Sequence, residues 1–354
     1  MSKFNIKSIT RENIKKLKPY QAKEIPSLIK LDANESPFPV KLSEIVSGVD
    51  IPLNRYPDPE AKELKRAISK RFQVRPESIM VGNGSDELIY YLILTFGGPV
   101  LYPVPTFSMY GIIAQSVGVE TVESKLDREF DIQEEDFLNL IRLKKPSLIF
   151  LSTPNNPTGN TFSAEKILKI IDVARKSNSL VIIDEAYVPF CSHKGFLPFL
   201  KDFENLLILR TLSKIGLAGL RLGYLIGDEK ILNEVSKVRL PYNVDSLTQY
   251  IATYALKDFY SKIKKFIAEI TKERDRMLRE LSTFKELTVY PSEANFILFK
   301  SRRTNQIYEK LLKEGILIRN MSPLIKNALR VTIGTKEENS QFIETIKSIL
   351  RKRI

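Results

Sequence analysis

Three short apolar runs constrain the fold of this chain more than any other feature. Leu148 to Ser152, Ser179 to Ile183 and Leu206 to Leu209 are too short for buried helices and are apolar without alternation. A strand that is apolar on both faces must be covered on both, and the helical stretch Ala164 to Lys176 supplies one such cover. Repeated βα units of this kind predict an α/β fold with a mostly parallel central sheet flanked by helices. Functional loops then fall at the carboxyl ends of the strands.

Each run ends in residues that packing does not require. Leu148 to Gly159, LIFLSTPNNPTG, closes in a turn rich in Pro, Asn and Gly. Ser179 to Tyr187, SLVIIDEAY, runs into Asp184, an acid that is costly at a buried strand end unless something positive meets it. Arg210 to Tyr224, RTLSKIGLAGLRLGY, places Lys214 after a strand and before a glycine-broken loop. A lysine so placed can project into a cleft and form a Schiff base with a carbonyl. Arg221 with the hydroxyls of Thr211 and Ser213 would supply charge and donors for a phosphate. Taken alone, the stretch reads equally well as a strand and a basic surface turn. In GNGSDELI, Gly82 to Ile89, Gly84 precedes Ser85 and Asp86 at a helix start, where backbone N–H groups face an anion. Asp86 can also serve as the helix N-cap.

In order along the chain, Asn156 in NNPTG, Asp184 in DEAY, Lys214 in TLSK and Arg221 in GLRLGY resemble the signature of the fold-type I pyridoxal-phosphate aminotransferases. LDANESP, RYPDP, GNGSDELI, PYNV, PSEANFILF and LRVTIGT resemble the histidinol-phosphate aminotransferase family within it, so the similarity spans almost the whole chain. The resemblance implies pyridoxal 5'-phosphate held by Lys214, with Asp184 on the ring nitrogen, Asn156 and Tyr187 on the phenolate oxygen and Phe107 stacked on the ring. Gly84, Ser85, Asp86, Ser213 and Arg221 would surround the cofactor phosphate. Tyr56 would reach it from a neighbouring subunit, implying a homodimer. For substrates the resemblance implies Tyr20, Asn34, Arg319 and Arg330. Arg330 would take phosphate from a small phosphorylated amine and carboxylate from glutamate or 2-oxoglutarate. Catalysis would fall to Lys214, Asp184 and Tyr187, in a transamination of histidine biosynthesis. An aromatic amino-acid aminotransferase or a threonine-phosphate decarboxylase of the same fold would share every cofactor residue. One departure stands out: only six residues separate Lys214 from Arg221, one fewer than in the SKAFGLAGLR wording of many relatives, so the loop takes a shorter path.

Charge raises a competing class. The chain of 354 residues carries 55 Lys and Arg against 42 Asp and Glu, a formal +13 that would also suit a basic nucleic-acid-binding protein. The excess is spread, however, and Lys262, Lys264, Lys265 and Lys272 alternate with Glu269, Glu273 and Asp275 as on a solvated helix face. No nucleic-acid motif accompanies it, and a basic mouth suits acidic substrates equally well. The single cysteine, Cys191, excludes an intrachain disulfide, and the single histidine, His193, excludes a histidine dyad. The opening residues lack a signal-peptide core and no run is long enough to span a bilayer, so a cytoplasmic enzyme with no membrane association is expected.

Three parts are expected: an N-terminal arm over 1–35 that joins part of a small domain, a cofactor-binding large domain over 36–245, and a C-terminal α+β small domain over 246–354. Ser246 with Gln249 is expected to cap a long helix, and Thr335 with Glu338 the last one.

Overall fold

A computed structural model describes residues 4–19, 25–45 and 50–351 of the chain. Strand β1 (Ile29–Leu31) belongs to a small sheet that is completed far downstream. The next seven strands make the large sheet: β2 (Ile79–Asn83), β3 (Val100–Val104), β4 (Thr121–Lys125), β5 (Leu148–Ser152), β6 (Leu180–Asp184), β7 (Leu206–Thr211) and β8 (Leu222–Ile226). Their order is β2-β8-β7-β6-β5-β3-β4. Pairs from β4 through β7 are parallel, and β8 alone runs antiparallel to both of its neighbours. The expected mostly parallel sheet is therefore present, with its three apolar runs at the centre.

Alternation within those runs shows why they need cover on both sides. Ile149 and Leu151 of β5, Val181 and Ile183 of β6, and Leu206 and Ile208 of β7 enter one apolar cluster. Leu148 and Phe150, Ile182, and Leu207 and Leu209 enter a second cluster on the opposite face. Helices Ser85–Phe96 and Met109–Val117 close that second face, and helix Ala164–Lys176 packs on the first. Each fully buried Leu or Ile contributes about 1.5–3 kcal/mol, so exposing either face would be prohibitive.

The remaining strands, β9 (Thr288–Val289), β10 (Phe296–Lys300), β11 (Ile316–Asn320) and β12 (Ala328–Thr332), join β1 in the order β1-β11-β12-β10-β9. β1 pairs with β11 in parallel, so the N-terminal segment is built into the C-terminal sheet.

Local signals differ from expectation in three places. Asp245, not Ser246, caps helix Ser246–Lys257, its carboxylate accepting from Thr248 N at 2.9 Å, while the Gln249 side chain bonds the carbonyls of Val244 and Asp58. Ser246 is already the first helical residue, so the capping position, with its extended backbone, falls to Asp245. The long helix is also two helices, Ser246–Lys257 and Tyr260–Leu281. Glu273 does not join the solvated face: it is buried, binding Arg276 at 2.7 Å and Asn339 at 3.0 Å where its helix meets the last one. At helix Lys336–Arg351 the expected reciprocal cap is present, with Thr335 N on Glu338 and Glu338 N on the Thr335 hydroxyl.

Candidate active site

The carboxyl ends of β5, β6 and β7 lie side by side, Ser152 opposite Asp184 and Asp184 opposite Leu209. Their loops open into a cavity of about 1170 Å³ between the two sheets. Asn34, Ser85, Asp86, Phe107, Asn156, Asp184, Tyr187, Ser213, Lys214, Arg221, Arg319 and Arg330 all line it. Residues expected from distant parts of the chain thus converge on one space.

Lys214 sits in a single helical turn, Ser213–Ile215, directly after β7. Thr211 fastens that turn: its hydroxyl contacts the Ser213 hydroxyl at 2.9 Å, accepts from Ser213 N at 3.1 Å and donates to the Leu222 carbonyl at 3.0 Å. Gly216 then takes φ 101°, which a side chain would resist, and the chain turns away from the lysine. Lys214 Nζ lies 5.8 Å from the centre of the Tyr187 ring.

Asp184 is 4% exposed, and both of its oxygens are held. Tyr110 donates its hydroxyl to Oδ2 at 2.7 Å, and Ala186 N donates to Oδ1 at 3.1 Å. Burial pushes the carboxyl up to about 6, while the Tyr110 and Ala186 bonds and the Lys214 charge pull the other way.

A third feature is an anion cradle. Helix Ser85–Phe96 begins after Gly84 at φ 81°, so its first N–H groups face the cavity mouth without a cap side chain in the way. Gly223 of β8 lies so close that a Cβ there would stand 2.5 Å from Ser85 N. Arg221 adds a guanidinium over Gly84, 3.6 Å from Asp86 Oδ2, so the shorter loop still delivers it. Asp86 stays beside this cradle, its carboxyl held above the ordinary value by burial, which the Arg221 and Lys214 charges only partly offset. Its Oδ1 is buried with no partner among the described residues.

Across the cavity stand two arginines from the small sheet. Arg319 and Arg330 are direct partners on β11 and β12. Arg330 donates to Asn156 Oδ1 at 2.7 Å and to the Asp32 carbonyl at 2.8 Å, with its guanidinium 5.1 Å from the Phe296 ring. Asn34, buried at φ 55°, does more than line the wall: its Nδ2 donates to the Tyr187 hydroxyl at 2.9 Å. Thr332 and Asn295 fasten Asn34 in turn.

One expected residue is not part of this assembly. Tyr56 is 80% exposed, stacked on Tyr242 at 4.5 Å and outside this chain's cavity. Tyr20 lies outside the described residues. Two others went unforeseen. Tyr110 stands near the start of helix Met109–Val117, three residues after Phe107, and no local pattern separates it from an aromatic that merely packs the core. Buried Asn155 ties the two loops together, accepting from the Thr106 hydroxyl and donating to the Pro105 carbonyl and Thr158, and nothing in the run NNP distinguishes it from Asn156.

A strand-end lysine, a buried acid, an anion cradle and a second cationic wall are the parts of a carbonyl-cofactor transferase. The family model described as aminotransferase class I and II matches residues 26–346, and the chain belongs to that family. Within it the chain is 40% identical over 357 residues to the histidinol-phosphate aminotransferase of Thermoanaerobacter pseudethanolicus, covering 98% of this chain and 99% of that one. To the histidinol-phosphate aminotransferase of Aquifex aeolicus it is 42% identical over 350 residues, covering 96% and 98%. The crystal structure of the histidinol-phosphate aminotransferase from Clostridium acetobutylicum superposes with a TM-score of 0.83 at 27% identity, covering 92% of this chain and 100% of that chain. Among the described residues no helix is long and apolar enough to cross a membrane.

Proposed function

We propose that this chain is a pyridoxal-phosphate-dependent aminotransferase that moves an amino group between L-histidinol phosphate and 2-oxoglutarate, in histidine biosynthesis. One observation carries the reading: a single cavity holds Lys214 and Asp184 between two separate anion sites, the Gly84–Ser85 cradle with Arg221 and the Arg319–Arg330 wall. A cofactor phosphate needs the first and a substrate phosphate or carboxylate the second. When bound, pyridoxal phosphate supplies the aldehyde that carries the amino group and the ring that accepts electrons from the substrate.

The chain's own residues do the rest. Lys214 Nζ would take the proton from the nitrogen-bearing carbon of the amino donor, as general base, and deliver a proton to the corresponding carbon of the acceptor in the second half of the cycle, as general acid. Asp184 would keep a proton on the ring nitrogen, since a cation beside a buried carboxylate favours its charged form. Because Asn34 donates to the Tyr187 oxygen, the Tyr187 hydrogen is left to donate toward the cavity. Arg330 likewise fixes the Asn156 amide through its oxygen, leaving Nδ2 as the end offered to an acceptor. Both would stabilise the cofactor phenolate oxygen. Phe107, edge-on to Tyr110 at 5.6 Å, offers a ring face for stacking. Arg319 and Arg330 orient the two alternating substrates by their anionic ends.

A cytoplasmic homodimer belongs to the same reading, with exposed Tyr56 completing the partner subunit's phosphate site; family membership supports it. The test is amino transfer from histidinol phosphate to 2-oxoglutarate, with phenylalanine and threonine phosphate as competing donors and Lys214→Ala as control. Preferred turnover of histidinol phosphate, lost in the variant, is expected. Turnover of phenylalanine alone, or release of carbon dioxide from threonine phosphate, would overturn the substrate while leaving the cofactor.

A further inference from the structure

Asp184 is fastened from behind by a side chain that the aminotransferase motifs do not include. Tyr110 is fully buried in helix Met109–Val117, its ring stacked on Phe150 at 4.8 Å, edge-on to Phe107 at 5.6 Å and tilted against Tyr102 at 6.1 Å. Three aromatic neighbours leave the ring no room to swing. Its hydroxyl is thereby delivered to Asp184 Oδ2 at 2.7 Å, opposite the Ala186 N–H on Oδ1 at 3.1 Å. Packing alone would be served by phenylalanine; the hydroxyl needs another reason.

We propose that Tyr110 is a positioning residue for Asp184, its hydroxyl orienting the carboxylate and holding it in the charged form for a cationic ring nitrogen. This rests on the reading of Asp184 given above. Among the described residues each carboxylate oxygen accepts one side-chain or backbone hydrogen bond, which leaves lone pairs for the side where Asp184 lines the cavity. Burial first, and the Asp184 charge second, push the Tyr110 phenol well above its ordinary value, so it remains a donor throughout the working range. The other groups facing this pair are Lys214, which favours the charged acid, Asp86, which opposes it, and Tyr187 and Ser152 on the phenol side.

Infrared difference spectra of the cofactor-free protein, with Asp184→Asn to assign the carboxyl band, read the pH at which Asp184 loses its proton. Tyr110→Phe keeps the aromatic stack and deletes only the donor. Its midpoint is expected to rise by about one pH unit, the scale of one hydrogen bond to a carboxylate. With 3-fluorotyrosine at position 110, a stronger donor of nearly the same shape, the midpoint is expected to fall instead. That second arm decides the matter if Tyr110→Phe does not fold. An unmoved midpoint in either folded protein overturns the proposal. Neither arm involves turnover or cofactor, so opposite shifts in a protein that fails to bind pyridoxal phosphate would refute the function and leave this pair standing.

Discussion

Replacing Asp184 by asparagine removes a charge that the cofactor-free protein buries at a cost, and the size of that cost can be worked out. Burial raises the carboxyl from an ordinary 3.8 to about 6, net of the Tyr110 and Ala186 bonds. The folded chain therefore keeps this proton to a higher pH than the unfolded chain does. Below 3.8 both states are protonated and no penalty arises; above about 6 both are charged and the penalty is complete. Between these limits the folded protein loses stability as pH rises. At about 1.36 kcal/mol for each pH unit, the interval amounts to about 3 kcal/mol. Asparagine carries no charge, and the mismatch of its amide with Ala186 N–H adds only a constant. Asp58 and Asp172, both held below the usual carboxylate range by hydrogen bonds and nearby cations, change stability in the opposite sense but equally in both proteins. Urea unfolding of the cofactor-free wild type and Asp184→Asn should thus show wild type losing about 3 kcal/mol relative to the variant between about pH 4 and about pH 7. A difference that stays flat, or moves toward the wild type, would refute the reasoning.

Other perturbations test other parts of the site. Arg330→Ala removes a charged donor from the substrate wall, and at about 1.5–3 kcal/mol for such a bond kcat/KM should fall about 10- to 100-fold for histidinol phosphate and for glutamate alike. Steady-state kinetics on both substrates would show whether one arginine serves both. Gly223→Ala would push a Cβ into Ser85 N, so the variant should fold by circular dichroism yet bind pyridoxal phosphate at least about tenfold more weakly in equilibrium dialysis. Arg210 reaches Glu185 with two bonds at 2.8 and 2.7 Å deep under the site. Arg210→Met should cost about 3–5 kcal/mol by urea unfolding, and adding Glu185→Gln should restore part of it, because the stranded charge is the larger share.

Much of this site was legible because each motif lies at the end of an element whose pattern is unambiguous. The apolar runs set β5, β6 and β7, and their carboxyl ends delivered Asn156, Asp184 and Lys214 to one place. What escaped notice depends on contacts between segments far apart in sequence. Asn34 was expected to touch substrate, yet its amide is on Tyr187, 153 residues away. Tyr110 reaches Asp184 across 74 residues from a helix whose composition is ordinary. Glu273 looked like one more surface charge until Asn339 met it from the last helix. A helix face can be read from spacing, but not which neighbouring helix will cover it.

The two sheets divide the chemistry in a way that makes their contacts consequential. The large sheet and the loops and helices that follow its strands contribute every residue expected on the cofactor except Tyr56, whereas Asn34, Arg319 and Arg330 come from the segments of the small sheet. Those segments touch the cofactor residues directly, Asn34 on Tyr187 and Arg330 on Asn156. A substrate anion that draws on Arg330 competes with the Asn156 oxygen for the same guanidinium. On the proposed function, substrate binding and the electrostatics around the cofactor oxygen would therefore be coupled through one side chain. Substituting Asn156 should alter substrate affinity as well as the cofactor spectrum, a joint effect that two independent sites would not produce.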